Sequence, residues 1–181
     1  MQIPPAQMLH YKDNCLTNRN LVMIQKLSTE QVFPGGRSWK NFLNMTYIYF
    51  NENGPKKVTG QSLENFYSSY WDILLERYNT SVRGLFLYYI GSDGVGLSNS
   101  YLDGNAIKRL NIAEFYVVPD FRKKGIGTEI LCQIINWGKI EEATIICVEV
   151  DKSLLDANKF WSTFNFKLTK LRNRNLYTQD I

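Results

Sequence analysis

The sequence predicts a mixed α/β domain: a mostly antiparallel twisted sheet with one parallel strand–helix–strand junction, flanked by helices. Three observations carry this. Residues 84–118 read as three consecutive strands joined by turn signals, Asp93-Gly94 and then Asp103-Gly104-Asn105, the kind of spacing that makes antiparallel hairpins. From about residue 126 the apolar side chains Ile130, Leu131, Ile134 and Ile135 recur at helical spacing. Residues 143–150 (ATIICVEV) then form a nearly continuous apolar run, as expected of a buried strand. A strand, a helix and a strand in that order make the two strands parallel neighbours.

Taken in order, residues 1–20 lack periodicity and read as an N-terminal extension. Residues 21–27 (LVMIQKL) are apolar enough for a first strand, and 28–39 read as a turn or loop around Pro34-Gly35-Gly36. Residues 41–50 are ambiguous: the first half could be a helical turn, while 46–50 read as strand. Residues 51–60 are a loop by composition. Residues 61–78 are the clearest helix of this half, with Phe66, Tyr70, Trp71, Leu74 and Tyr78 on one stripe and Glu64, Ser68, Asp72 and Glu76 off it. The stripe reads as core-facing, and rings on such a helix can also line a cleft. Strands follow at 84–90, 95–102 and 108–118. After the central helix and the strand 143–150 come a helix over 155–164 and a closing hairpin of 166–171 with 176–178.

The chain is organised around residues 112–137. Pro119 ends the preceding strand, because it lacks a backbone donor and fixes φ. Gly125 and Gly127 allow the backbone close to a ligand with no Cβ in the way. The first amides of the helix that follows have no partner within it. Together with the helix dipole and Arg122, Lys123 and Lys124, they form a site for a phosphate group. A dinucleotide-binding glycine loop fits poorly: its third small residue would be Ile130, and its glycines should follow the strand directly. No G-x-x-x-x-G-K-[ST] phosphate loop occurs in the chain.

The run Val118-Pro119-Asp120-Phe121-Arg122-Lys123-Lys124-Gly125-Ile126-Gly127-Thr128 resembles the acetyl-CoA loop of the GNAT superfamily of acyltransferases, V-x-P-x-[YF]-[RQ]-x-x-G-x-[GA], at every defining position. The resemblance implies the GNAT fold over a single domain of residues 21–181, most specifically over 84–166. It also implies acetyl-CoA as acetyl donor, its pyrophosphate wrapped by the loop's amides. The cofactor-binding residues expected on that basis are Tyr116, Val117, Val118, Arg122, Lys123, Lys124, Gly125, Ile126, Gly127 and Thr128. In the family the two parallel strands splay apart and the pantetheine arm of CoA enters the gap.

Acetyl transfer to an amine needs a free base, since an alkylammonium has a pKa near about 10.4. Two carboxylates stand in apolar strands, Glu114 before the loop and Glu149 in the strand after the helix. Desolvation would raise the pKa of either, which suits a general base. The family uses a strand glutamate at one or the other of these places, so both are catalytic candidates. By the same resemblance the backbone N–H of Val118 or its neighbour meets the oxyanion. The acid departs from the pattern N-x-x-A-x-x-[FL]-Y-x-x-x-G-F of the family's last helix. Here the matching residues are Leu154, Ala157, Phe160, Trp161, Asn165 and Phe166, and the indole of Trp161 is no usable acid. A thiol pKa near about 8.5 makes thiolate a tolerable leaving group without one. Tyr116 is another hydroxyl within reach of consideration, and Asn158 another contact for the cofactor.

Composition narrows the classes. The 181 residues are 44% hydrophobic and 14% aromatic, enough for a core and for one domain. A net charge of +4 is mildly basic, not a nucleic-acid composition. No apolar run suits a bilayer span, and the N-terminus has no secretory h-region, so a cytoplasmic protein without membrane association is expected. Three cysteines at no useful spacing predict no disulfide framework, with Cys132 and Cys147 read as core residues. A single histidine, His10, argues against a His-based triad or a metal site. The expected activity is N-acetyl transfer from acetyl-CoA to a primary amine of a small molecule or protein, by a monomer or homodimer. The alternative is a non-catalytic acyl-CoA-binding or interaction module. A hydride-transferring enzyme is a distant third.

Overall fold

A computed structural model describes residues 26–53 and 62–181. Seven strands form one sheet: β1 (Leu27–Gln31), β2 (Arg83–Ile90), β3 (Asp93–Asp103), β4 (Arg109–Val117), β5 (Ile145–Asp151), β6 (Lys167–Lys170) and β7 (Arg174–Asp180). Their order across the sheet is β1-β2-β3-β4-β5-β7-β6. Every neighbouring pair is antiparallel except β4 with β5, which are parallel as the intervening helix requires. Four helices accompany the sheet: α1 (Trp39–Asn53), α2 (Leu63–Thr80), α3 (Ile126–Ile140) and α4 (Leu155–Trp161).

The sheet is covered on both faces, so its middle strands are apolar on both. In β2, Phe86 and Tyr88 join the core beneath α3 and α4, whereas Leu85 and Leu87 join the core beneath α1 and α2. The α3 stripe is Ile126, Ile130, Leu131, Ile134, Ile135 and Trp137, all buried. Ile130 and Ile134 are fully buried, each worth roughly 2 kcal/mol of transfer free energy. The other core centres on Trp39, Phe42 and Leu43 of α1 and Leu74 of α2.

Two expectations of the N-terminal half are corrected. The first strand lies at Leu27–Gln31, starting at the last residue of the expected strand and running through 28–31, expected to be loop, and it is a largely polar edge strand held by pairing with β2. Of the expected strand 21–27, residues 21–25 lie outside the described residues, as do the expected extension 1–20 with His10 and most of the loop 51–60. Residues 46–50 are helix, not strand. In α1 the buried positions Trp39, Phe42, Leu43 and Thr46 fall at helical spacing, and that stripe prevails over the strand propensity of Tyr47 to Phe50. Thr46 returns its hydroxyl to the Phe42 carbonyl at 2.8 Å, an i→i−4 bond inside the helix. Cys132 and Cys147 are half-buried rather than core residues.

One irregularity positions the site. Across β3–β4, Asn99 faces Glu114 while its neighbour Ser100 faces Ile112, so Ala113 is an extra, unpaired residue. A bulge of this kind reverses the alternation of faces. Before it, Leu110 and Ile112 point to the α3 side; after it, Phe115 and Val117 do so, and Tyr116 joins the α1–α2 core. Pairing of β4 with β5 runs from Arg109 with Ile145 only to Ile112 with Val148. Beyond the bulge the two parallel strands part, and β5 continues with β7 alone, out to Asp151 and Arg174.

Candidate active site

The loop after β4 begins with a short 3-10 turn, Pro119–Phe121. Lys123 and Gly125 both take left-handed backbone angles, with φ of 59° and 83°. Gly125 is the N-cap of α3 and supplies no side-chain cap. The first α-helical bond runs from the Glu129 N–H to the Gly125 carbonyl at 3.1 Å, so the amides of Ile126, Gly127 and Thr128 have no acceptor within the helix. A Cβ on Gly127 would lie 3.0 Å from Phe160 and 3.8 Å from Phe115, so this glycine allows α3, α4 and β4 to converge beside the parted strands. The residues suit a diphosphate: unpaired amides, left-handed turns that splay them outward, and Lys123 and Lys124 beside them.

Arg122 has a different occupation from the one expected of it. Its Nε donates to the Val117 carbonyl at 2.8 Å, and its Nη atoms hold Glu52 of α1 at 2.6 and 2.9 Å. The Tyr116 hydroxyl donates to the same carboxylate at 2.9 Å. The arginine therefore ties the end of α1 to the loop, and holds the Glu52 carboxyl below its ordinary range. Tyr116 is likewise not placed as a cofactor contact. Its main chain pairs with Leu97 in the sheet, its ring packs on Tyr49, and burial together with Glu52 pushes its hydroxyl up to about 12, a poor acid.

The parted strands expose main chain in a defined pattern. Val118 donates its N–H to the Val95 carbonyl at 2.9 Å, which is spent in the sheet and is not the oxyanion donor. That bond makes Val117 and Gly96 a non-hydrogen-bonded pair, so the peptide groups of Val117 and Phe115 turn away from β3 toward the gap with β5.

The two candidate bases separate. The bulge carries Glu114 onto the α1–α2 face, where it is only 8% exposed, with Oε2 buried and without a protein partner. Burial pushes its carboxyl up, and Asn99, Arg83, Arg77 and Tyr70 pull it part of the way back. Glu149 is on the opposite pleat from the buried Val148 and Val150, its side chain 48% exposed and paired with Arg174 at 3.1 Å. The desolvation expected of it does not occur, because no helix covers that part of β5. Tyr49, between the rings of Phe50 and Tyr116, is pushed up to about 12 by burial and by Glu114.

Two residues of α4 prove architectural. Trp161 is buried in a cluster of Phe115, Phe160, Phe164 and Phe166. Asn158, considered above as a cofactor contact, has its side chain fully used. It donates to the carbonyls of Asp151 and Leu154 and accepts from Asn175 and Tyr177, binding α4 to β5 and β7.

The sequence reading missed Arg83, Asn99, Tyr49, Tyr70 and Glu52. A signal existed for two of them: Arg83 opens an apolar strand, and Ser98-Asn99-Ser100 puts three polar residues in the middle of a central one, all of them buried. Among the described residues no group of three or more His, Cys, Asp or Glu could hold a metal ion, and no helix is long and apolar enough to cross a membrane.

Comparison with known proteins fits this geometry. The chain is 25% identical over 144 residues to streptothricin acetyltransferase A of Bacillus subtilis (strain 168), covering 68% of this chain and 83% of that protein. Its fold superposes on the paia N-acetyltransferase of Thermoplasma acidophilum in complex with coenzyme A, with a TM-score of 0.65 and 12% identity, covering 86% of this chain and 99% of that one. A GNAT family acetyltransferase from Elizabethkingia anophelis with acetyl-CoA bound gives a TM-score of 0.60 at 15% identity, covering 86% and 98%. The model of the Acetyltransferase (GNAT) family matches residues 46–166, from the middle of α1 to the residue before β6, and the chain belongs to that family.

Proposed function

We propose that this protein transfers the acetyl group of acetyl-CoA directly to a primary amine, with Glu114 as general base. The observation that carries the reading is Glu114 itself: a buried carboxyl, raised by desolvation, turned by the Ala113 bulge to the face beside the point where β4 and β5 part. A raised carboxylate is a stronger base, and here it stands where an amine entering from the α1–α2 side would meet the gap. The amides of Ile126, Gly127 and Thr128, with Lys123 and Lys124, hold the diphosphate. The gap-facing peptides of Phe115 and Val117 hold the pantetheine arm, and the Val117 N–H serves the oxyanion. Trp161 offers no proton, so the thiolate leaves unaided and takes the proton that Glu114 has collected.

The relationship to a streptothricin acetyltransferase favours a small-molecule amine as acceptor. The buried Trp161 in place of an acid favours, as a second reading, an acyl-CoA-binding module without turnover. One assay separates them: acetylation of lysine, β-lysine, spermidine and a peptide with a free N-terminus by wild type, Glu114→Gln and Glu149→Gln. Loss of about 10²–10⁴ in kcat is expected for Glu114→Gln, and wild-type turnover for Glu149→Gln. Tight acetyl-CoA binding with no amine turned over would establish the second reading instead.

A further inference from the structure

Arg83, Asn99 and Glu114 form a row across three adjacent strands on the face beneath α2. Asn99 stands opposite Leu85 of β2 on one side and Glu114 of β4 on the other, and Arg83 is two residues from Leu85 along β2. All three are buried. Arg83 Nη1 donates to Asn99 Oδ1 at 2.6 Å, and the guanidinium lies over the Tyr101 ring, 4.8 Å from its centre. An arginine has donors only, so this bond decides which end of the Asn99 amide carries the oxygen. The amide nitrogen is left for the Glu114 side, where it favours the charged carboxylate. Glu114 Oε2 and Arg83 Nε remain buried without protein partners. Such a row costs stability, and a pair of apolar residues would fill the same space without that cost.

We propose that Arg83 and Asn99 are positioning residues for Glu114. The arginine locks the asparagine amide, the asparagine supports one side of the carboxylate, and Oε2 is kept open for the proton the acceptor amine releases. The N–H bond of the amine breaks and an O–H bond forms at Oε2; the proton later passes to the departing thiolate, which restores the base. The inference rests on the reading of Glu114 as base. The other titratable or charged groups around the carboxyl are Arg77 and Tyr70 of α2 and Tyr49 of α1. Tyr70 also faces the Asn99 side chain, which with Thr46 pulls its hydroxyl part of the way back from the rise that burial gives it.

The test is the pH profile of kcat, from pH 5.5 to 9.5 with saturating acetyl-CoA and whichever panel amine the wild type turns over, for Asn99→Leu, Arg83→Gln, Arg83→Lys and Glu114→Gln. Removing the support destabilises the carboxylate, so the acid limb should move up by roughly one pH unit in Asn99→Leu and Arg83→Gln. The plateau should fall about tenfold as the base loses its orientation. Arg83→Lys, which keeps a charged donor, should recover part of the limb position. Titration of Glu114 by ¹³C-carboxyl NMR in wild type and Asn99→Leu reads the same shift without turnover, and serves if a variant folds poorly. An unchanged limb in both Asn99→Leu and Arg83→Gln, or an unchanged Glu114 titration, overturns the inference while leaving the base assignment standing. A wild-type profile in Glu114→Gln overturns the base assignment, and the positioning role with it.

Discussion

Gly127 leaves little room for a side chain, and the effect of adding one on cofactor binding can be worked out from contacts. An alanine Cβ there would sit 3.0 Å and 3.3 Å from two atoms of the Phe160 ring. That contact asks the ring to give by a few tenths of an ångström. The ring has little room: it is stacked on Phe115 at 5.5 Å and edge-on to Trp161 and Phe164 at 5.1 and 5.0 Å. For Gly127→Ala the overpacking opposes a helix-propensity gain of up to about 1 kcal/mol, so the net effect should be under about 1 kcal/mol in either direction. Gly127→Val adds two further methyl groups, and overpacking of that size costs about 1–3 kcal/mol. The strain is relieved most easily by tilting the first turn of α3 away from Phe160, which moves the three unpaired amides together. Acetyl-CoA affinity measured by calorimetry should then fall roughly 5- to 150-fold, at 1.4 kcal/mol per decade. Phe160→Ala in the same chain should restore a large part of the loss. A Gly127→Val protein that binds acetyl-CoA like wild type, or one whose defect Phe160→Ala leaves untouched, would refute the steric argument.

Two other predictions concern the frame around the site. Asn158→Ala deletes four side-chain hydrogen bonds, three of them between α4 and the β5–β7 pair and one to the Leu154 carbonyl at the start of α4. At roughly 1 kcal/mol each, with partial exposure favouring the low end, the cost should be about 2–3 kcal/mol, or roughly 5–10 °C in Tm for a chain this long. Acetyl-CoA affinity well below Tm should not change; a large affinity loss would return Asn158 to the cofactor site. Glu52→Gln should lower stability at pH 7 by about 0.5–1 kcal/mol, the range for half-exposed ion pairs. Because the native pKa of Glu52 is depressed, its contribution is present above the ordinary value of 4.5 and is lost as pH falls through the lower native value. Urea titrations should therefore show the two proteins converging below about pH 4. A gap that stays constant from pH 7 to pH 3 would mean that the pair with Arg122 contributes nothing through charge.

The parts of the site legible in the sequence were those in which chemistry dictates residue type locally. A helix mouth that must admit a diphosphate needs Gly125 for its positive φ and Gly127 for clearance, and both stand at fixed offsets from Pro119. The parallel junction was legible because Val148 and Val150 continue an apolar run that only a covered strand requires. Residues whose roles depend on distant strands were not legible. Arg83 and Asn99 meet only through β2–β3 pairing, and Glu52 reaches Arg122 across seventy residues of chain. Arg122 is expected at the cofactor on motif alone, and in the fold its guanidinium also binds Glu52 and the Val117 carbonyl. Glu114 and Glu149 looked equivalent, each a glutamate among valines or aromatics. What separates them is coverage, since α2 and α1 lie over β4 while the matching side of β5 is open.

The single surplus residue Ala113 has a consequence for how this protein can change. It is a parity switch: upstream of it, odd and even positions of β4 have one meaning, and downstream the meanings are exchanged. Were Ala113 instead paired as a regular residue of the strand, Glu114 would turn among the isoleucines of α3 and Phe115 would come out where the amine should stand, so hydrophobic packing and proton transfer would fail in the same stroke. What matters at this position is therefore that one residue stays outside the ladder, more than which side chain it carries.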